Sequence, residues 1–171
     1  LIVGGSLGAK RINEAVLAHC SWFLENDLQL IWQTGALYFE KCNEAKKILG
    51  SRAQITRFIS DMGQAYSAAD IVVSRAGALA ISELTSIGKT CVLIPSPNVA
   101  EDHQLKNALT LVNQNAAVLV EENTIDTQLF SVLKTLKDNP DKQLELSTNA
   151  KRMGQPNAVL KIVDCIDQLL L

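Results

Sequence analysis

The residues with chemistry at stake fall in "DIVVSRAGALAISELTSIGKTCVLIPSP", residues 70 to 97. Asp70-Ile71-Val72-Val73 reads as a buried strand and a helix restarts at about Ala78, so Arg75, Gly77 and small residues form a turn between them. A small-residue turn that opens a helix presents bare N–H groups and the positive end of the helix dipole, a setting suited to an anion such as phosphate. Glu83 lies six residues beyond Gly77 on a helix that is otherwise mostly apolar. Its two oxygens can accept from two neighbouring hydroxyls of a ligand lying beside that anion. The same position equally suits a solvated glutamate that complements the helix dipole.

The pattern recurs at "GGSLGA", residues 4–9, directly after the first apolar run. Glycines at 4, 5 and 8 permit a tight turn and close approach of the backbone to an anion. Two such loops on one sheet edge could hold one diphosphate between them, and either alone is also an ordinary strand-to-helix turn. "GGSLGAK" lacks the Gly-Lys-Ser/Thr ending of a Walker A loop, and its glycine spacing is not G-x-G-x-x-G. Nucleotide hydrolysis and dinucleotide binding are disfavoured accordingly. In "DHQLKNA", 102–108, His103 and Gln104 open a helix after a proline-containing loop, where they suit either sugar hydroxyls or helix capping. His19, inside the first helical segment, reads as a packed or surface histidine.

These loops need a scaffold. Six β-rich apolar runs, 1–5, 28–35, 53–59, 70–74, 90–95 and 116–120, alternate with helical patterns over 9–24, up to 49, 62–68, up to 88 and 102–113. Beyond 120 the pattern is helical to Leu171, broken near Pro140 and at 154–156. The expected fold is α/β: a Rossmann-like parallel six-stranded sheet with helices on both faces, joined by right-handed crossovers. Ligands of such sheets bind outside the carboxyl ends of the strands, where strand order reverses.

A chain of 171 residues with 47% hydrophobic and 20% charged residues has the size and composition of one globular domain, 1–171. A formal net charge of -2 gives no electrostatic reason to expect a nucleic-acid partner. No apolar run reaches the roughly 18 residues needed to span a bilayer. The opening "LIVGGSLGAKRIN" has no Met, no basic leader and no cleavage pattern, and begins within a strand, so the chain is expected to be a fragment of something longer. Cys20, Cys42, Cys91 and Cys165 lie far apart with no CxxC pair and are expected to be buried free thiols. The apolar positions of "QPNAVLKIVDCIDQLLL" recur at helical spacing, fit either for core packing or for docking against a further domain.

Together, "GGSLGAKRIN", "FISDMGQAYSAADIVVSRAGALAISEL" and "PSPNVAEDHQLKNA" stand in the order and spacing of one family. From Leu1 to about Glu121 the chain resembles the C-terminal, donor-binding half of the MurG family of N-acetylglucosaminyltransferases of bacterial peptidoglycan synthesis. The resemblance implies one half of a GT-B glycosyltransferase, an inverting enzyme that converts lipid I to lipid II with UDP-GlcNAc as donor. It implies that Gly5 and Ser6 contact the diphosphate and that Ala78, Leu79 and Ala80 give it their helix-start amides. Ile59, through its main-chain N–H and C=O, with Phe58 and Met62, would bracket the uracil. Glu83 would hold the ribose hydroxyls, and His103 and Gln104 would address the acetylglucosamine. Ala76, Ala80 and Leu7 depart from residues common in the family, and His103 replaces one of two glutamines.

No cofactor and no obligatory metal are expected, the scattered carboxylates forming no D-x-D pair. The general base, and recognition of the lipid I acceptor, are expected in an N-terminal domain absent here, so that no catalytic residue lies in this chain and the isolated domain is inactive. The resemblance further implies a cytoplasmic enzyme, peripheral on the cytoplasmic face of the cell membrane, that meets the inner leaflet through the full-length protein. The alternatives are a stand-alone subunit of a split GT-B transferase, half of a UDP-GlcNAc 2-epimerase, or a plain dinucleotide-binding domain.

Overall fold

In the computed structural model, which describes residues 1–169, six parallel strands form one sheet: β1 (Ile2–Val3), β2 (Leu30–Gln33), β3 (Ala53–Thr56), β4 (Ile71–Ser74), β5 (Thr90–Leu93) and β6 (Val118–Leu119). The order is β3-β2-β1-β4-β5-β6. All six apolar runs are strands, each shorter than its run. β1 pairs with β2 on one side, Ile2 opposite Trp32, and with β4 on the other, Ile2 opposite Val73. The chain works outward to β3 and then returns past β1 to begin β4. Strand order therefore reverses between β1 and β4, and a crevice opens at their carboxyl ends.

Period-two alternation sends neighbouring strand residues to opposite faces. Val73, Val92 and Ile94 join one core with Ile12, Val16 and Leu129, while Val72, Cys91 and Leu93 join a second with Leu84, Ala108 and Leu111. The first face is covered by α1 (Lys10–Ala18), α2 (Cys20–Glu25), α3 (Phe39–Asn43), α4 (Lys46–Leu49) and α8 (Ile125–Lys137). The second carries α5 (Met62–Ala68), α6 (Ala78–Ile87), α7 (His103–Val112) and α9 (Pro140–Met153). Both faces are occupied, as a parallel sheet requires.

Several helix ends obey local chemistry. Asp61 caps α5 through the Gln64 N–H at 2.9 Å, and Asn139 caps α9 through Lys142 at 3.0 Å with Pro140 in the first turn. Gly88, at φ 71°, ends α6 with its N–H on Leu84 and Thr85, and Lys89 N–H also returns to Leu84.

Three expectations change. The single helix over 9–24 is two, because His19 leaves the helical region at φ -116° while its Nδ1 lies 3.0 Å from the Ala15 carbonyl and its ring stacks on Phe130 at 4.5 Å. The helical pattern ending at 49 is divided at Glu44 and Ala45, where i→i+3 bonds tighten the backbone. Of the thiols, Cys20, Cys42 and Cys91 are buried but Cys165 is exposed. It lies on α10 (Ala158–Leu169), which buries no residue, whereas the preceding α9 does pack, through Leu146 and Ala150. The expected continuation of the helix through Leu170 and Leu171 lies outside the described residues.

Candidate functional site

The crevice between β1 and β4 is bounded by the two loops of small residues. Gly5 at φ 90° and Gly8 at φ 80° turn the chain after β1, and Gly8 N–H donates to the Gly5 carbonyl at 3.0 Å. α1 then starts without a side-chain cap. Across the crevice Gly77 precedes α6 and supplies no cap, and the first intrahelical bond runs from Ile81 N–H to Gly77 O. The amides of Ala78, Leu79 and Ala80 thus belong to the uncapped first turn, whose donors no helical carbonyl can reach. Two uncapped helix starts, each with its positive dipole end, flank one crevice.

A cavity of about 400 Å³ opens there. Gly5, Ser6, Phe58, Ile59, Met62 and Glu83 line it, as do Leu79, Ala80 and Gln104. Nine of the eleven expected site residues meet on one surface, though they come from two loops and three helices. Ala78 starts α6 beside the cavity without lining it, and His103 sits exposed at the start of α7, also outside the lining. Gln104 faces inward and accepts the Ser96 N–H at 2.9 Å, a bond to the loop after β5 and not a cap of its own helix. A second cavity, of about 470 Å³, continues along the first loop past Lys10 and Arg11 and shares Gly5, Ser6, Arg75 and Gln104 with the first. A further cavity of about 410 Å³, beside Leu1, Leu30 and Ile71, lies at the amino ends of the strands, the end where such sheets do not hold their ligands.

Glu83 is half-buried, and its Oε2 accepts the Tyr66 O–H at 2.8 Å. Burial first, then this bond and the Glu83 charge, push the Tyr66 phenol well above its ordinary range, so Tyr66 stays a neutral donor. The bond holds one carboxylate oxygen and aims the group at the cavity. The Tyr66→Phe variant is accordingly expected to bind a ligand of Glu83 about three- to ten-fold more weakly, from loss of one orienting hydrogen bond. Isothermal titration of the variant and parent measures the difference, and equal affinities would show that Glu83 needs no such support.

Three further residues were not legible as site residues. Gln33, Tyr66 and Arg75 all line the cavity. Arg75 donates to the Ile94 and Pro95 carbonyls at 3.2 and 3.1 Å and pairs with Glu122, both partners 15% exposed. Its charge is spent joining the loop after β4 to the segments after β5 and β6. Asn107 Nδ2 donates to the Ala76 carbonyl at 3.2 Å and holds the same loop from α7. Ile59 N–H donates to Gln33 Oε1 at 2.7 Å, so the expected use of that N–H on a ligand conflicts with an existing bond, and the carbonyl of Ile59 is the group left to accept.

Residues 1–162 match the glycosyltransferase family 28 C-terminal domain. The chain is 47% identical over 171 residues to the UDP-N-acetylglucosamine--N-acetylmuramyl-(pentapeptide) pyrophosphoryl-undecaprenol N-acetylglucosamine transferase of Flavobacterium psychrophilum, covering 99% of this chain and 46% of that protein. To the transferase of the same name from Cytophaga hutchinsonii it is 41% identical, covering 99% and 45%. The chain therefore spans about half the length of the curated relatives it matches. The crystal structure of Acinetobacter baumannii MurG superposes with a TM-score of 0.82 at 33% identity, covering 98% of this chain and 51% of that one. A glycotransferase of kitacinnamycin shares the fold at a TM-score of 0.74 and 19% identity, covering 99% and 42%. With a six-stranded doubly wound sheet, two loops suited to phosphate at its switch point and this match along nearly its whole length, the chain belongs to glycosyltransferase family 28, as a C-terminal domain of that family.

Proposed function

We propose that this chain is the donor-binding domain of an inverting transferase that moves N-acetylglucosamine from UDP-GlcNAc to lipid I, forming lipid II. One observation carries the reading: the glycine turn after β1 and the uncapped start of α6 line one cavity that also presents Glu83. The diphosphate lies on the amides of Gly5, Ser6 and Ala78–Ala80, and Glu83 accepts from the two ribose hydroxyls. The uracil lies between Phe58 and Met62 with its edge at the Ile59 carbonyl. Gln104, and His103 at the rim, address the sugar.

In inverting transfer the acceptor hydroxyl attacks the anomeric carbon, that carbon's bond to the phosphate oxygen breaks, and negative charge grows on the departing UDP. Amides already aimed at that oxygen stabilise the charge without reorganising, the kind of electrostatic effect that is often the largest in catalysis. The base that takes the hydroxyl proton, and the surface that receives the lipid acceptor, belong in this reading to an N-terminal half, consistent with relatives about twice as long. α10 offers that half a docking face, with Val159, Leu160 and Ile166 at 72, 63 and 51% exposure. Among the described residues no helix is long and apolar enough to cross a membrane. A peripheral place on the cytoplasmic leaflet, reached through the whole protein, fits a soluble donor and a lipid-linked acceptor.

Titration calorimetry with UDP-GlcNAc, UDP-glucose and UDP tests the reading. UDP is expected to bind at micromolar to millimolar concentration and UDP-GlcNAc more tightly than UDP-glucose. Absence of any uridine ligand binding by the full-length protein would refute it.

A further inference from the structure

Gln33 is 3% exposed at the last position of β2, opposite Val3 on one neighbouring strand and Thr56 on the other. A buried side-chain amide must find partners for both its ends. Nε2 donates to the Gly5 carbonyl at 2.9 Å, and Oε1 accepts the Ile59 N–H at 2.7 Å. A carbonyl can only accept and a backbone N–H can only donate, so these partners fix which way round the amide sits. The two ends of one side chain thus hold two loops that are 54 residues apart in sequence, the turn after β1 and the turn after β3.

Those two loops have different tasks. The Gly5 carbonyl also receives the Gly8 N–H, so its direction sets the turn whose amides face the crevice. Ile59 sets the wall of the cavity beside Phe58 and Met62. We propose that Gln33 is a positioning residue that locks the diphosphate loop and the base loop into one register, so that a nucleoside diphosphate meets both preformed. This rests on the reading of the cavity as a UDP site. Gln33 touches neither phosphate nor base in this role. It acts through Gly5 and Ile59, and its loss leaves two loops to be ordered by the ligand itself, which weakens binding more than the chemical step.

The test uses the full-length transferase with Gln33→Glu and Gln33→Leu. The Glu variant is nearly isosteric. Ionised, it still accepts from Ile59 but sets a carboxylate oxygen against the Gly5 carbonyl; protonated, its O–H can replace the lost donor. Its surroundings disfavour the charge and raise its protonation range towards neutrality. At pH 8 both variants are expected to raise KM for UDP-GlcNAc about ten-fold, the scale of one to two lost hydrogen bonds, with kcat changed less than about three-fold. As pH falls from 8 to 5.5, the KM ratio of Gln33→Glu to the parent is expected to approach one while that of Gln33→Leu stays constant. A KM ratio for the Glu variant that is flat with pH, or a loss confined to kcat, would overturn the proposal. Parent enzyme that fails to bind UDP would overturn the nucleotide reading itself, whereas parent binding matched by both variants would overturn the role of Gln33 alone.

Discussion

Replacing Glu83 with alanine is expected to raise the dissociation constant for UDP-GlcNAc by about 10- to 100-fold, the equivalent of losing a hydrogen bond to a charged group worth roughly 1.5–3 kcal/mol. The carboxylate lines the cavity, and Tyr66 already engages its Oε2, which leaves Oε1 and the second lone pair of Oε2 for a ligand. Glu83→Gln is expected to fall between parent and Ala, since the amide keeps one oxygen for the Tyr66 O–H or for a ribose hydroxyl but not the charge. The alanine variant also strands the Tyr66 hydroxyl, 8% exposed as a residue, and is expected to lose about 1 kcal/mol of stability by the cost of an unsatisfied buried donor. Calorimetry for affinity and denaturant unfolding for stability separate the two effects. Unchanged affinity for every uridine ligand would remove Glu83 from the site.

Gly8→Ala is expected to do the largest structural damage of any single methyl group near the crevice. At φ 80° the position is strained for any L-residue, and an added Cβ would stand 1.9 Å from the Thr34 carbonyl oxygen, a backbone atom with nowhere to retreat. The interlock is mutual: a Cβ on Gly35, at φ 78°, would stand 2.2 Å from the Leu7 carbonyl oxygen. The turn after β1 and the turn after β2 pass so closely that neither tolerates a side chain at the crossing. The left-handed backbone costs about 1–2 kcal/mol. Overpacking adds roughly 1–3 kcal/mol. Unfolding by urea is expected to show the combined loss, about 2–5 kcal/mol, with weakened nucleotide binding because the same turn carries Gly5 and Ser6. Gly5→Ala is the control, since φ 90° is unfavourable there too but the added Cβ meets nothing within 4 Å. Equal stability losses for Gly5→Ala and Gly8→Ala would show that contact with Thr34 does not matter.

Much of this was legible in the sequence because the strands are buried on both faces. Short apolar runs such as "DIVVS" and "TCVLIP" can hardly be anything else when helical patterns separate them, and Gly50 and Gly88 stop α4 and α6 where expected. The two small-residue turns that bound the crevice were also legible, since glycine after a strand and before a helix is a local signal. The residues that were missed act over distance. Gln33 bonds to Ile59 across 26 positions, Tyr66 to Glu83 across 17, and Arg75 reaches Ile94 and Pro95 across 19 and 20. Periodicity assigns such residues to a face and says nothing of their partners.

Gln33 had one faint signal, a polar residue ending "LIWQ", a run expected to be fully buried. A buried polar side chain must have partners, and at the carboxyl end of a strand those partners are the ligand loops. The exposure of Cys165 follows from the same limit, because an amphipathic pattern predicts a helix but not which surface covers it, and α10 buries none of its residues. The break at His19 coincides with its stacking on Phe130, which arrives from α8, 111 positions later.

The most direct test of the central claim, that the turn after β1 and the start of α6 jointly hold the diphosphate of a uridine nucleotide, is a crystal structure of the protein grown with UDP. The account predicts the two phosphates in the crevice between β1 and β4, within hydrogen-bond distance of amides from Gly5–Ser6 and Ala78–Ala80, with the ribose hydroxyls on Glu83. UDP bound elsewhere, or in the crevice with Glu83 turned away from the ribose, would contradict it.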